Sequence, residues 1–109
     1  MGILAGTMRL MALTSMKNDI EFRMMTIAEK MATLTAQIAE NEEFMGDLDP
    51  DSPELKAMNA EKRRLNEYEK KLEMQQKSLE IRLQQVNQGI QACQQMVDVD
   101  LHTFSGQRR

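Results

Sequence analysis

Apolar side chains recur along this chain at alternating steps of three and four. Leu10, Met24, Met31, Ile38 and Met45 hold one register, with Lys17 as its polar member. Leu13, Ile20, Ile27 and Leu34 hold the companion register until Asn41. Two interleaved heptad positions of this kind mark a helix packed lengthwise on another helix. Ala28, Glu29, Lys30, Ala32, Ala36, Gln37 and Ala39 fill the remaining positions and favour the helical state. The pattern predicts a helix over about residues 3–45, firmest from 15 to 44, with Gly6 as its weak point.

A second arm repeats the pattern. Met58, Leu65, Leu72, Leu79, Val86 and Cys93 share one register, and Leu55, Leu83, Ile90, Val97 and Phe104 share the other. Three successive members of the latter, Lys62, Glu69 and Gln76, are polar; such residues lower the stability of a seam and fix its register. The spacing predicts a helix over about 54–104, about 75 Å long at 1.5 Å per residue. Gly89 would permit a bend or a close helix approach. Asp100 breaks the seam, and the helix is expected to fray before Gly106, leaving a short tail over 105–109. Arg108 and Arg109 suit the negative end of the helix dipole.

Between the arms lies Gly46-Asp47-Leu48-Asp49-Pro50-Asp51-Ser52-Pro53, which holds both prolines. Gly46 can close the first helix in the left-handed conformation. Pro50 and Pro53 bias the residues before them away from helical angles. Ser52 is a good N-cap, with Pro53 at the first helical position and Glu54 behind it. The prediction is an all-α chain, two long helices in an antiparallel, coiled-coil-like hairpin, oligomeric, and a single unit over 1–109. One unbroken rod is disfavoured, because the seams do not continue in phase across the corner.

Composition narrows the function classes. The 109 residues include 4% aromatics, no Trp and 11 Met, which suits helices meeting helices better than a globular core or disorder. Residues 1–53 carry 4 basic and 9 acidic side chains, and residues 54–109 carry 10 and 8. The opposite signs suit arms lying side by side, and neither half is basic enough to bind nucleic acid. Cys93 is the lone cysteine, so no intrachain disulfide can form. Residues 1–6 have no charged n-region and too short an apolar run for a cleaved signal, Gly6 departs from the myristoylation pattern, and no stretch approaches a membrane span. A soluble chain is expected, with no membrane insertion.

Candidate chemistry is sparse. Asp47, Asp49 and Asp51 alternate, but a calcium loop starting at Asp47 needs a glycine where Ser52 stands and a glutamate where Met58 stands. Turn and cap hydrogen bonds explain the same residues. His102 has no second ligand within helical reach, and Cys93 in the seam reads as a packed thiol. Lys62-Arg63-Arg64 falls opposite Glu40, Glu42 and Glu43, where cross-arm pairs of modest worth are expected. With no phosphate loop, metal cluster or nucleophile–base set, no enzyme, cofactor or metal is expected.

Two surface features remain. Leu4, Met8, Met11, Phe22 and Met25 form a helical stripe off the first seam, joined near the termini by Met74, Ile81, Met96 and Leu101. They are either scattered surface apolars or a second contact surface. Gln84, Gln88, Gln91 and Gln95 form an uncharged stripe that is either a solvated face or the lining of a wet channel.

Pro50-Asp51-Ser52-Pro53-Glu54-Leu55, followed by Met58 and Tyr68, resembles the turn and second helix of the needle subunits of type III secretion systems. The match is confined to residues 50–68, and the chain is longer than those subunits. The resemblance implies a helical hairpin exported by secretion machinery without a cleaved signal and polymerised into a hollow tube. It also implies a lumen rich in uncharged polar side chains, to which the face from Gln84 to Gln95 would contribute. Separately, Arg9-Leu10 and Ala12-Leu13-Thr14, followed by Lys17, Asp19 and Glu21, look like the opening of helical proteins of gut bacteria. The leading expectation is a structural subunit that partners itself in a filament or tube, extracellular and needle-like. The alternative is a cytoplasmic coiled-coil chaperone or adaptor that clasps a partner with a Met-rich face.

Overall fold

Good helix formers fill both arms, and neither proline falls inside a helix beyond its first residue, so each arm folds without interruption. The computed structural model describes the backbone of residues 2–107 and the side chains through Thr103. Helix α1 spans Ile3–Gly46 and helix α2 spans Pro53–Gln107, 44 and 55 residues long. They form an antiparallel hairpin, and no strand occurs among the described residues. Gly6 does not interrupt α1; its amide donates to the Gly2 carbonyl at 3.2 Å. At the other end α2 continues through Gly106 to Gln107 instead of fraying before it. A single glycine costs a helix about 1 kcal/mol, too little to unwind a turn by itself. Arg108, Arg109 and the Phe104 side chain lie outside the described residues.

The corner closes α1 by a different route from the expected one. No glycine among the described residues has a positive φ, so Gly46 stays helical. The helix instead tightens at its end, where the amides of Asp47 and Leu48 donate to the carbonyls of Phe44 and Met45 at 3.3 and 3.2 Å. Bonds of this shorter span satisfy the last carbonyls without a left-handed residue. A β-turn follows, with the Ser52 amide donating to the Asp49 carbonyl at 3.0 Å, and Asp49 Oδ1 accepts from the Asp51 amide at 3.3 Å. Ser52 then caps α2: its Oγ accepts at 3.2 Å from the amide of Leu55, the third helical position with Pro53 as the first. Asp49 thus spends a carboxylate oxygen on the backbone of the turn, in keeping with turn chemistry.

The hairpin divides into two compact units, Met1–Arg23 with Leu79–Arg109, and Met24–Ser78. The first, called here the termini unit, buries Ile20, Leu79, Val86 and Cys93, with Leu10, Leu13, Leu83, Ile90 and Val97 half-buried beside them. The second, the corner unit, buries Ile27, Leu34 and Leu72. Every buried residue comes from the register of Ile20 in α1 or of Leu72 in α2, and the companion registers are half-buried at best. A pair of helices leaves the flanks of its seam open to water, and no large side chain among the described residues is completely enclosed.

Of Gly6 and Gly89, only the first is required by packing. A Cβ on Gly6 would stand 3.0 Å from Val97 Cγ2, and one on Gly89 would stand 3.4 Å from Leu13 Cδ1. Gly6 thus allows Val97 to sit against the α1 backbone, whereas Gly89 leaves room for a methyl. In the corner unit Lys62 Nζ pairs across the seam with Glu42 Oε1 at 3.0 Å, as the opposed charges predict, while Arg64 pairs within its own helix with Glu61 at 2.7 Å. Both pairs are solvated and worth little. The polar stretch of the seam leaves its mark in the same unit, where Asn41 Nδ2 and Gln76 Oε1 are buried without a hydrogen-bond partner.

Three stability changes follow, measured by thermal melts at low protein concentration. Gly89→Ala gains about 1 kcal/mol from helix propensity and a methyl in ordinary contact with Leu13, raising the melting midpoint by several degrees. The same change at Gly6 gains less, because its methyl crowds Val97. Ser52→Ala removes the cap and costs about 1 kcal/mol; an unchanged midpoint would show that Pro53 alone suffices to start α2.

Candidate functional site

In a helical hairpin each helix covers one stripe of the other, and any apolar residue outside that stripe faces solvent. At 100° per residue the α1 residues Leu4, Met8, Met11 and Phe22 centre about 180° away from the seam residues Leu13 and Ile20. The structure leaves them 74%, 62%, 67% and 68% exposed. Leu4 and Phe22 are eighteen positions apart, five whole turns, so they point the same way. On α2, Ile81 and Val99 are likewise eighteen apart and point about 160° away from the centre of the seam formed by Leu79, Leu83, Val86, Ile90, Cys93 and Val97, while Met96 lies on the flank of that seam. All three are exposed. The termini unit therefore carries an apolar stripe on the outer face of each helix, and the two stripes point away from one another.

All nine apolar residues singled out from the sequence are exposed, but they do not form one patch. Leu4, Met8, Met11, Phe22, Ile81, Met96 and Leu101 belong to the termini unit, and Met25 and Met74 to the corner unit. Leu101 lies on the seam side of α2 by helical phase and is exposed because Gly6 already faces Val97, so α1 begins too late to cover it. Sequence reasoning missed Met16, Phe44, Tyr68 and Val99, which are also exposed. Val99 was legible from its five-turn spacing to Ile81. Phe44 and Tyr68 were not, since each is one aromatic in a charged neighbourhood.

The two units differ in surface chemistry despite near-equal size. Among the described residues the termini unit exposes nine large apolar side chains and the corner unit four, Met25, Phe44, Tyr68 and Met74. The corner unit carries 12 acidic and 8 basic residues, against 5 and 6 in the termini unit. Within the termini unit, Leu83 to Val97 contains no charged residue at all. Gln84, Gln88, Gln91 and Gln95 lie on this stretch, all exposed along one side of α2. Beside them a shallow hollow of 420 Å³ is lined by Ala92, Gln95, Met96, Val99 and Asp100. A narrower groove of 380 Å³ runs between the helices over Ala5, Gly6, Gly89, Ala92 and Cys93. Small side chains make this groove, and buried Cys93 forms part of its wall.

Near the corner, a depression of 530 Å³ is lined by Glu40, Glu43, Asp47 and Glu61 around Phe44, Met58 and Leu65. It is acidic and open, and no group of three metal-ligating side chains assembles among the described residues. No helix is long and apolar enough to cross a membrane among those residues. What the surface offers chemically is contact: flexible apolar area on the outer faces of both helices, edged on α2 by carboxamides that hydrogen-bond without bringing charge.

No family model matches the chain, and neither a curated protein nor a solved structure matches it.

Proposed function

We propose that the chain is a structural subunit that self-assembles into a filament or tube. The observation that carries this reading is the pair of opposed apolar stripes on the termini unit. Monomeric proteins rarely expose contiguous apolar patches without using them. One stripe would suit a closed dimer. Two stripes facing apart give each subunit two sites, and contacts through opposite faces add subunits without closing. The acidic, sparsely apolar corner unit suits a solvated position, and the face from Gln84 to Gln95 suits either a subunit contact or a wet lumen. Export without a cleaved signal and a needle-like form rest on the resemblance at residues 50–68, and the partner implied there is secretion machinery.

A second reading has its own support. Met8, Met11, Met16, Met25, Met74 and Met96 are all exposed, and methionine adapts to partners of varied shape. A cytoplasmic chaperone or adaptor would display such a surface to a client helix.

Light scattering over a concentration series, with negative-stain images, separates the two. Filaments are expected from the protein alone; a persistent monomer, or a discrete dimer that captures one partner, would sink the assembly reading. Met11→Glu with Phe22→Glu, or Ile81→Glu with Val99→Glu, should each stop growth at small oligomers while circular dichroism stays helical. Pro50→Ala with Pro53→Ala should lower stability by about 1 kcal/mol through a looser turn and leave assembly intact. Loss of filaments in that still-helical variant would place the contact at the corner.

A further inference from the structure

The outer stripe of α1 has internal order beyond being apolar. Leu4, Met8, Met11, Ser15, Asn18 and Phe22 succeed one another at steps of four and three, a second heptad seam on the helix. All six are exposed. The stripe is polar at its middle and apolar on both sides.

In an antiparallel helix pair, each residue of one heptad position faces a residue of the other position on the partner. The hairpin itself pairs in this way, with Gly6 opposite Val97. Applying the same rule to two copies of α1 leaves one register in which like meets like from Met8 to Met25. Ser15 faces Asn18 of the second copy and Asn18 faces Ser15, so hydroxyl and carboxamide meet at the centre. Met11 faces Phe22 and Met8 faces Met25 on either side, and only at the outer ends does Leu4 meet a charged residue, Glu29. A shift of one heptad in either direction sets methionine or phenylalanine against a polar residue. We propose that α1 of one subunit pairs with α1 of a second copy in this antiparallel register, about a two-fold axis beside residues 16 and 17.

A parallel, in-register pairing would also match the stripe to itself. It carries a like-charge repulsion that the antiparallel one avoids: Glu29 and Glu43 continue the same heptad position along α1 and would each meet their own copies, whereas the antiparallel register sets Glu29 against Leu4. Parallel pairing also aligns the two helix dipoles, and antiparallel pairing opposes them. On the flanks, the antiparallel register sets Asp19 near Ala12 and Glu21 near Thr14, so no like charges meet. The Ser15–Asn18 pairs supply the specificity that a polar residue at a seam position confers.

This inference rests on the self-association reading, and its test separates the two. Single variants Ser15→Cys and Asn18→Cys are made in a Cys93→Ala background, with Cys93→Val as substitute if helicity falls. They are mixed in equal amounts and oxidised in a glutathione buffer, and disulfide-linked species are resolved by mass. The antiparallel register predicts the mixed Ser15→Cys–Asn18→Cys dimer well above random pairing. Excess of the two like-with-like dimers would establish parallel pairing and overturn the proposal. Random or absent cross-links, where sedimentation still shows oligomers, would overturn it while leaving self-association standing. Absence of oligomers by sedimentation would remove both.

Discussion

Everything in this molecule depends on an interhelical seam that is one residue wide on each side. Helices of this length gain most of their stability from packing an apolar face and little from propensity alone. Here the packing is provided by Ile20, Ile27, Leu34, Leu72, Leu79, Val86 and Cys93, with their companions only half-covered. At about 25 cal/mol for each square ångström of apolar surface removed from water, a stripe of this kind stabilises a hairpin but cannot hide the rest of its apolar residues. A third helix would be needed to cover the outer faces, and the chain has only two.

The two units handle that constraint differently. The corner unit accepts polar residues into its seam. Lys62 reaches Glu42, while Asn41 and Gln76 each leave a buried polar atom without a hydrogen-bond partner. An unpaired buried group of this kind costs about 1–3 kcal/mol. What the corner unit gains is a defined register beside a turn already shaped by two prolines and the Ser52 cap. The termini unit has a more apolar seam and lets Val97 sit against α1 at Gly6. It places its surplus apolar residues outside, on the outer faces of both helices, and its α2 stretch from Leu83 to Val97 carries no charge. Its surface has the composition of a contact region, and the corner unit has that of a solvated one.

The proposed assembly follows from this distribution more than from any single residue. Methionine dominates the exposed stripes, and a flexible thioether side chain tolerates solvent while still filling an irregular contact. Aromatic content is low, so the contacts between subunits would be individually weak and repeated, as suits a polymer whose stability grows with length. Ser15 and Asn18 interrupt the α1 stripe where a uniformly apolar seam would permit several registers.

Sequence alone determined the hairpin. Heptad spacing is a local property of the chain, and prolines at 50 and 53 with Ser52 between them act on the backbone within a few residues, so helices, turn, cap and seam membership were all legible. The exposed stripe of Leu4, Met8, Met11 and Phe22 was legible too, because a hairpin can cover only one face of each helix. Local rules failed at Gly46, which stays right-handed because shorter hydrogen bonds from Asp47 and Leu48 had already satisfied the last carbonyls. The tertiary structure decided what depends on pairing: that Gly6 receives Val97, that Gly89 has room for a methyl, that Gln76 is buried with its oxygen unpaired, and that Leu101 runs past its partner helix. Those facts depend on which residue of one helix stands opposite which residue of the other. Periodicity defines each seam but leaves the offset between two seams open until the turn geometry and side-chain packing set it.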